Sequence, residues 1–361
     1  MSRALTKQHL AKRRTIIATV LIVLAAILIL YPVVSMIGGS FSSKQAYKTI
    51  PSSIVPLEGK DVQLKKQTIK VSGSDFTIAE GSYKVYWVEI DGEKHALADV
   101  GKDNATKQRI FVNPDNTSET YLAPAAMPDD RVVHMVFHFT NYPEALEKAN
   151  FGRYILNTLF LVVVNTFGAL LSSSLVAYGF SRFRFKGRNA LFIVLLSTMM
   201  LPAQVSLIPS FIIYQKLGWY NTYLPLTVAA YFASSPWNVF LMRQFFMGLP
   251  MELDEAAKID GCGPLKILWK VIVPQSTAVL LTITLSTAVF WWNDYYYSLI
   301  YLQDKDKYPV ALGLQSFDAL YFQSSHLKAA ATVMMMIPPI LMFFLFQKYF
   351  IQGTVISGVK G

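Results

Sequence analysis

One cysteine, Cys262, stands among 361 residues, which excludes an intrachain disulfide and any metal or redox centre built from several cysteines. Charge is scarce too. Asp, Glu, Lys and Arg make up 16% of the chain, well below the roughly 25% of soluble domains. With 53% hydrophobic residues, including 24 Phe, 19 Tyr and 13 Met, the chain reads as a polytopic membrane protein. The phosphate loop G-x-x-x-x-G-K-[ST] is missing: Gly101-Lys102 runs into Asp103 and has no upstream glycine. That excludes ATP binding by this route. Neither a G-x-S-x-G elbow nor H-E-x-x-H occurs. No catalytic group, cofactor site or metal site is therefore expected. His9, His95 and His326 are isolated. His134 and His138, in VVHMVFHF, would share one face of a strand opposite Met135, Phe137 and Phe139. They read as polar-face histidines sooner than as metal ligands.

The net charge of +10 is unevenly spread. Residues 40–150 carry a balance of −2 and the rest of the chain +12. The basic excess thus belongs to the apolar part, where the usual cause is the bias of cytoplasmic loops for Lys and Arg, not nucleic-acid binding.

Six apolar runs are long enough to cross the roughly 30 Å hydrocarbon core at about 1.5 Å per helical residue. They lie near Thr15–Ile37, Ile155–Phe180, Ala190–Tyr214, Tyr223–Met247, Ser276–Leu302 and Ala329–Phe350. The first is too long for the apolar region of a signal peptide. Placing Arg182, Arg184, Lys186 and Arg188 in the cytoplasm sets both termini inside. The fold class expected is an all-α polytopic membrane protein with six transmembrane helices and a β-rich extracytoplasmic insert between the first and second. The divisions are a cytoplasmic N-terminus (1–14), the first helix (15–38), the insert (39–148), a five-helix core (149–350) with a cytoplasmic loop at 250–274, and a cytoplasmic tail (351–361). In the insert, alternation predicts strands over Val62–Val71, Phe76–Ile78, Tyr83–Ile90, Ala96–Val100, Gln108–Val112 and Arg131–Phe139, with a hairpin turn at Asp91-Gly92.

Two polar features interrupt the apolar pattern. The fifth run contains Trp291, Trp292, Asn293, Asp294, Tyr295, Tyr296 and Tyr297. An ionised Asp within a span costs free energy unless it meets a cavity or a partner. Trp292, Asn293 and Asp294 therefore line a pathway or gate, or else belong to an interfacial aromatic belt with a hydrated Asp294. Asn157, Asn165, Gln204 and Asn238 read as interhelical hydrogen-bonding groups before solute ligands. The second feature is EAAKIDGCGPLKILWKVIVP, Glu255 to Pro274, a polar helix between two apolar runs. Pro250 and Asp254 suit its start, and Gly261 and Gly263 its stop. Ala256 and Ala257 are small enough for another surface to approach. A helix lying on lipid would want a basic polar face, whereas Glu252, Asp254, Glu255 and Asp260 are acidic. Docking into a protein is the better reading.

At these residues the chain resembles the permeases of importer-type ABC transporters, whose EAA loop reads EAA, three residues, Gly, nine residues, then Ile-x-Leu-Pro. Glu255, Ala256, Ala257, Gly261 and Pro274 match, and Val271 and Val273 replace the usual Ile and Leu. FTNYPEAL at Phe139, AYGFSRFRFKGR at Ala177, WWNDYYYSLI at Trp291, YPVALGLQSF at Tyr308 and the ending QKYFIQGTVISGVKG are similar to the carbohydrate branch, that of the second permease of the maltose transporter. The resemblance covers about residues 1–40 and 139–361 but not most of the insert.

The resemblance implies a heterodimer with a second permease in the bacterial inner membrane, driven by two cytoplasmic ATPase subunits that hold ATP and Mg, and fed with a sugar or oligosaccharide by an extracellular solute-binding protein. It assigns ATPase coupling to Glu255, Ala256, Ala257, Asp260, Gly261 and Pro274, and a tail contact to Gly358, Val359, Lys360 and Gly361. Alternating access is the expected mechanism. The rivals are an ion-coupled secondary transporter or channel with the loop as an internal gate, and a membrane-anchored sensor or enzyme acting through the insert. The scarcity of charge deep in the spans argues against the first, and the lack of a catalytic constellation against the second.

Overall fold

The computed structural model describes residues 2–49, 54–71, 74–90, 92–103, 106–123, 131–148, 150–317 and 325–355. The chain divides into two units, one of Met1–Tyr142 with Gln323–Ala330, the other of Pro143–Phe322 with Ala331–Gly361.

The first unit opens with α1 (Ser2–Ser40), whose stretch Thr15–Ser40 includes an 18-residue run of mean hydropathy 2.9 with no buried residue, burial beginning only at Gly38. An apolar helix with no protein cover suits lipid. After the short α2 (Lys44–Thr49), the described residues form nine strands. They are β1 (Leu57–Gly59), β2 (Asp61–Leu64), β3 (Gln67–Val71), β4 (Ser74–Ile78), β5 (Gly81–Ile90), β6 (Glu93–Lys102), β7 (Arg109–Val112), β8 (Thr120–Ala123) and β9 (Val133–Met135). β2-β5-β6-β7-β8 form an antiparallel sheet, with β3-β4 and β1-β9 as separate pairs. The hairpin predicted at Asp91-Gly92 joins β5 to β6, with Ile90 opposite Glu93 and Gly92 at φ 86°. Asp91 itself lies outside the described residues.

Both faces of the large sheet are covered. Ala98, Val100, Ile110 and Val112 pack with Ile69, Val71 and Ile78 of the β3-β4 hairpin, while Tyr86, Val88, Leu97, Phe111 and Ala123 form a second cluster. The predicted strand Val62–Val71 is in fact two strands broken at Lys65-Lys66, because its halves belong to different sheets. The predicted Arg131–Phe139 strand shortens to β9. His134 and His138 therefore do not share a strand face: His134 sits opposite Glu58 in the β1-β9 register, and the His138 Nε2 lies 3.1 Å from the Glu58 Oε1.

The second unit is helical. It holds α4 (Phe151–Arg182), which follows α3 (Asn141–Lys148), then α5 (Arg188–Ser197), α6 (Ala203–Lys216), α7 (Leu224–Thr227), α8 (Pro236–Gly248) and α9 (Glu252–Ile259). Next come α10 (Pro264–Ile267), α11 (Val273–Gln275), α12 (Thr277–Trp292), α13 (Tyr296–Tyr301) and α14 (Val310–Gly313), and α15 (Ser325–Val355) ends the fold. Among the described residues, three helices are long and apolar enough to cross a membrane, or up to five if each of two bent pairs is one span. The bent pairs are Arg188–Met200 with Ala203–Lys216, at 95°, and Pro264–Gln275 with Thr277–Trp292, at 83°.

The fourth predicted run, Tyr223–Met247, is no continuous helix. Ala233 takes a left-handed φ of 50°, and Ser235 starts α8 afresh by accepting a hydrogen bond from the Asn238 amide, with Pro236 as first helical residue. Leu268–Ile272 is a π-helical turn just before Pro274, whose missing amide hydrogen cannot serve a regular helix.

Candidate functional site

The segment Glu252–Ile259 does form a helix, and its local chemistry explains both ends. Glu252, Asp254 and Glu255 occupy the positive first turn, and Lys258 the negative last one. At the far end the Gly261 amide donates to the Lys258 carbonyl at 3.0 Å and the Cys262 amide to the Ala257 carbonyl at 2.9 Å. This paired pattern requires a left-handed residue, and Gly261 supplies it with φ 78°. A Cβ at Gly261 would meet nothing within 4 Å, so backbone conformation, not space, demands glycine there.

Packing splits the helix into two faces. Asp254 and Ala257 are buried, whereas Glu255, Ala256, Lys258, Ile259, Asp260 and Gly261 are exposed. Ile259, an apolar side chain, is 87% exposed on this outer face. Ala257 packs in a core with Met242, Phe246, Ile267, Leu268 and Ile272. Pro274 is exposed and sits one turn before the 83° bend into α12.

The inner face is held by Arg182, the last residue of α4. Its Nη2 donates to the Leu249 carbonyl at 3.1 Å, and its Nε lies 3.4 Å from the Asp254 Oδ2. A cation at a helix C-terminus facing an acid at a helix N-terminus satisfies both dipoles. Sequence reasoning read Arg182 as one of several loop bases. The spacing that could have revealed it is 72 residues long, so no local pattern carries it.

A cavity of about 580 Å³ opens in the same unit, within the size range of small-ligand sites, about 300–1,000 Å³. α4 contributes Asn165, Ser172 and Ser173; the break before α8 contributes Ser234; and α12 and α13 contribute Trp291 and Tyr297. Ser234, Ser235 and Trp237 reach the wall where the chain is interrupted. Asn165 and Asn238, read as interhelical groups, both line this space.

Trp292, Asn293 and Asp294 do not line this cavity; their neighbours Trp291 and Tyr297 do. Trp292 is buried, and its Nε1 donates to the Met335 carbonyl at 2.9 Å. Asn293 is exposed, and its Nδ2 donates to the Val289 carbonyl at 2.8 Å. Asp294 is buried and caps α13. It accepts from the Tyr297 amide at 3.3 Å, the Ser298 amide at 3.0 Å and the Ser298 hydroxyl at 2.7 Å. The carboxylate thus finds its partners in the backbone turn where α12 ends, an arrangement that neither a pathway nor a hydrated belt anticipates. Gly358, Val359, Lys360 and Gly361 lie outside the described residues.

Comparison with known proteins gives these features a family. The profile described as "Binding-protein-dependent transport system inner membrane component" matches residues 169–355, which include α9 and the residues lining the cavity except Asn165. The probable ABC transporter permease protein YurM of Bacillus subtilis is 35% identical over 228 residues, 62% of this chain and 75% of that protein. The melibiose/raffinose/stachyose import permease MelC of Bacillus subtilis is 34% identical, covering 62% and 81%. The arabinooligosaccharides permease AraQ of Halalkalibacterium halodurans is 34% identical, covering 57% and 73%. A chain in the crystal structure of a bacterial ABC transporter that imports the acidic polysaccharide alginate is similar in fold, with TM-score 0.63 and 23% identity, over 94% of this chain and 97% of that one. So broad a match takes in most of the β insert, which the sequence resemblance left out. The chain belongs to the inner-membrane components of binding-protein-dependent transport systems, the permeases of ABC transporters.

Proposed function

We propose that this chain forms half of the translocation channel of an ATP-driven importer of sugars or oligosaccharides, with a second permease as the other half. Two cytoplasmic ATPase subunits bind and hydrolyse ATP with Mg, and the permease itself catalyses nothing. Six membrane crossings, with the segment Leu224–Gly248 as an interrupted one and both termini cytoplasmic, complete the topology. The sugar class rests on what MelC and AraQ are named for.

The observation that carries coupling is the two-faced α9. Its inner face is anchored by Ala257 and by the Arg182–Asp254 pair, and its outer face leaves Glu255, Ala256, Ile259, Asp260 and Gly261 uncovered. A helix anchored on one side and bare on the other can transmit a displacement from a protein docked on the bare side. ATP binding in the ATPases would draw the docked helices together, and the spans would shift from inward-facing to outward-facing. Such a shift needs contacts that differ between the two states, and the α9 surface supplies them. Pro274, at the base of the loop, sets where the helix turns into α12. The tail Gly358–Gly361 adds a second contact to the ATPases, and Trp292, Asn293 and Asp294 hold the end of α12 beside the channel.

The insert is proposed to dock the binding protein or to brace the second permease. Its neck is the β1-β9 pair, where the Lys60 amide donates to the Val132 carbonyl at 2.7 Å. Replacing residues 60–132 by Asn-Gly, a two-residue hairpin turn, removes it at one point. Unchanged transport and binding-protein affinity in that variant would refute the docking role.

The test of the whole reading is co-purification of the tagged chain expressed with a second permease, an ATPase and a binding protein. A stable complex whose ATPase activity rises with sugar-loaded binding protein is the expected result. A chain that purifies alone overturns it.

A further inference from the structure

The cavity described above has a wall of unusual polarity. Three of its serine hydroxyls give their protons to the backbone: Ser172 donates to the Ala230 carbonyl at 2.7 Å, Ser206 to the Ala203 carbonyl at 2.9 Å and Ser286 to the Ile283 carbonyl at 3.1 Å. Each oxygen keeps its lone pairs for another partner. Asn165 is fully buried, and its Nδ2 donates to the Leu161 carbonyl at 2.9 Å. Its Oδ1 has no hydrogen-bond partner. Buried polar atoms rarely stay unpaired, since each costs about 1–3 kcal/mol. The Asn165 Oδ1 is therefore an acceptor awaiting a donor in a wall of neutral hydroxyl, amide and indole groups. Among the described residues, none that lines the cavity is charged. Trp237, Phe290, Trp291 and Tyr297 add aromatic surface.

We infer that this chain itself carries a solute subsite, and that the site takes an uncharged, hydroxyl-rich glycan and rejects anionic ones. Hydroxyl groups donate to the waiting oxygens, and the apolar face of a sugar ring covers the aromatic side chains. A uronate offers carboxylate oxygens, which only accept. Set in a wall with no cation, an ionised carboxylate would lose its water and gain no compensating charge. The site thus favours neutral oligosaccharides over acidic ones such as the alginate that the importer similar in fold carries. The inference rests on the sugar-importer reading and adds the charge class of the solute and the subunit that touches it.

The experiment uses the assembled importer in liposomes. Cys262→Ser removes the native thiol and Ser234→Cys places one at the exposed part of the cavity wall. Reaction with an uncharged thiosulfonate is followed on this chain by mass spectrometry. The probes are a mixture of neutral di- to tetrasaccharides and the matching oligogalacturonates, and ATP-driven uptake of both is measured in parallel. At a concentration about ten times the Kd, a bound neutral sugar should slow labelling about tenfold, because only the free site reacts. The oligogalacturonates should leave the rate unchanged. A thiol that does not label in the assembled complex means that the partner permease fills the cavity, and overturns the inference. So does equal protection by the acidic probes. Uptake of neutral sugar without protection removes the subsite while the importer reading stands. No uptake of either class, with ATPase activity present, overturns the sugar reading and the inference together.

Discussion

Replacing Arg182 by methionine should loosen the α9 loop from the membrane core without disturbing the core itself. The Arg182 and Asp254 side chains are 4% and 3% exposed, so neither charge is relieved by water. At 3.4 Å the Arg182 Nε is too poorly aligned with the Asp254 Oδ2 to count as a hydrogen bond, and both atoms otherwise lack partners. The link is charge attraction, and Arg182 adds its bond to the Leu249 carbonyl. Removing one member of a buried pair leaves the other uncompensated, which costs about 3–5 kcal/mol. At about 1.4 kcal/mol per decade, that shifts a local docking equilibrium by more than a hundredfold. Arg182→Met should therefore expose residues 250–263 to limited proteolysis. It should lower transport at least as strongly as it lowers the thermal stability of the complex, and it should blunt the response of the ATPase to loaded binding protein. Adding Asp254→Leu removes both charges, and such pairs are often replaceable by apolar residues at little cost. The double variant should regain most of the stability, a coupling that a double-mutant cycle measures. Proteolysis, melting and transport all unchanged in Arg182→Met alone would refute the reasoning.

Three further outcomes follow from single sites. Gly261→Val forces a β-branched residue to φ 78° and should reduce transport more than Gly261→Asn, since Asn tolerates the left-handed region; transport assays on equal amounts of complex decide it. Asp294→Ala removes the cap of α13 and should cost about 1–2 kcal/mol, read as a lower melting temperature of the purified complex, with Asp294→Asn less affected. Gly313→Ala would drive a Cβ into the Tyr154 ring, and overpacking of this kind costs about 1–3 kcal/mol, visible as reduced yield in a fluorescence-detected gel-filtration trace.

What the sequence revealed depended on the length of the pattern. Apolar runs such as Thr15–Ser40 and Phe151–Arg182 are single helices, the first in spite of Pro32. The α9 loop was also legible: its acids, alanines and Gly261 act within a dozen residues, and the cap formed as the glycine required. Tyr223–Met247 misled because hydropathy ignores the left-handed Ala233 and the Ser235-Pro236 start that cut the run in two. The β insert was found, but Val62–Val71 read as one strand because alternation does not register a change of sheet. Arg182 and Asn165 were seen only as types. Their roles depend on partners, or on a missing partner, that the fold alone brings to light.

Those two residues share one helix. Asn165 and Arg182 are both in α4, 17 positions apart, roughly 25 Å along the axis at about 1.5 Å per residue. Between them lie Gly168, Ala169, Ser172, Ser173 and Ala177, small residues that let neighbouring backbone come close. A Cβ at Gly168 would stand 2.9 Å from the Tyr231 ring and 3.1 Å from Ala230. α4 therefore fits tightly against the same interrupted segment that walls the cavity, while its far end grips the α9 loop. The helix runs unbroken and without proline over this stretch, so the commonest cause of a kink is missing between its two ends. The cavity and the loop need no pathway of intermediate switches to influence each other. One continuous helix borders both, so a displacement that tilts α4 at Arg182 is expected to alter the wall at Asn165.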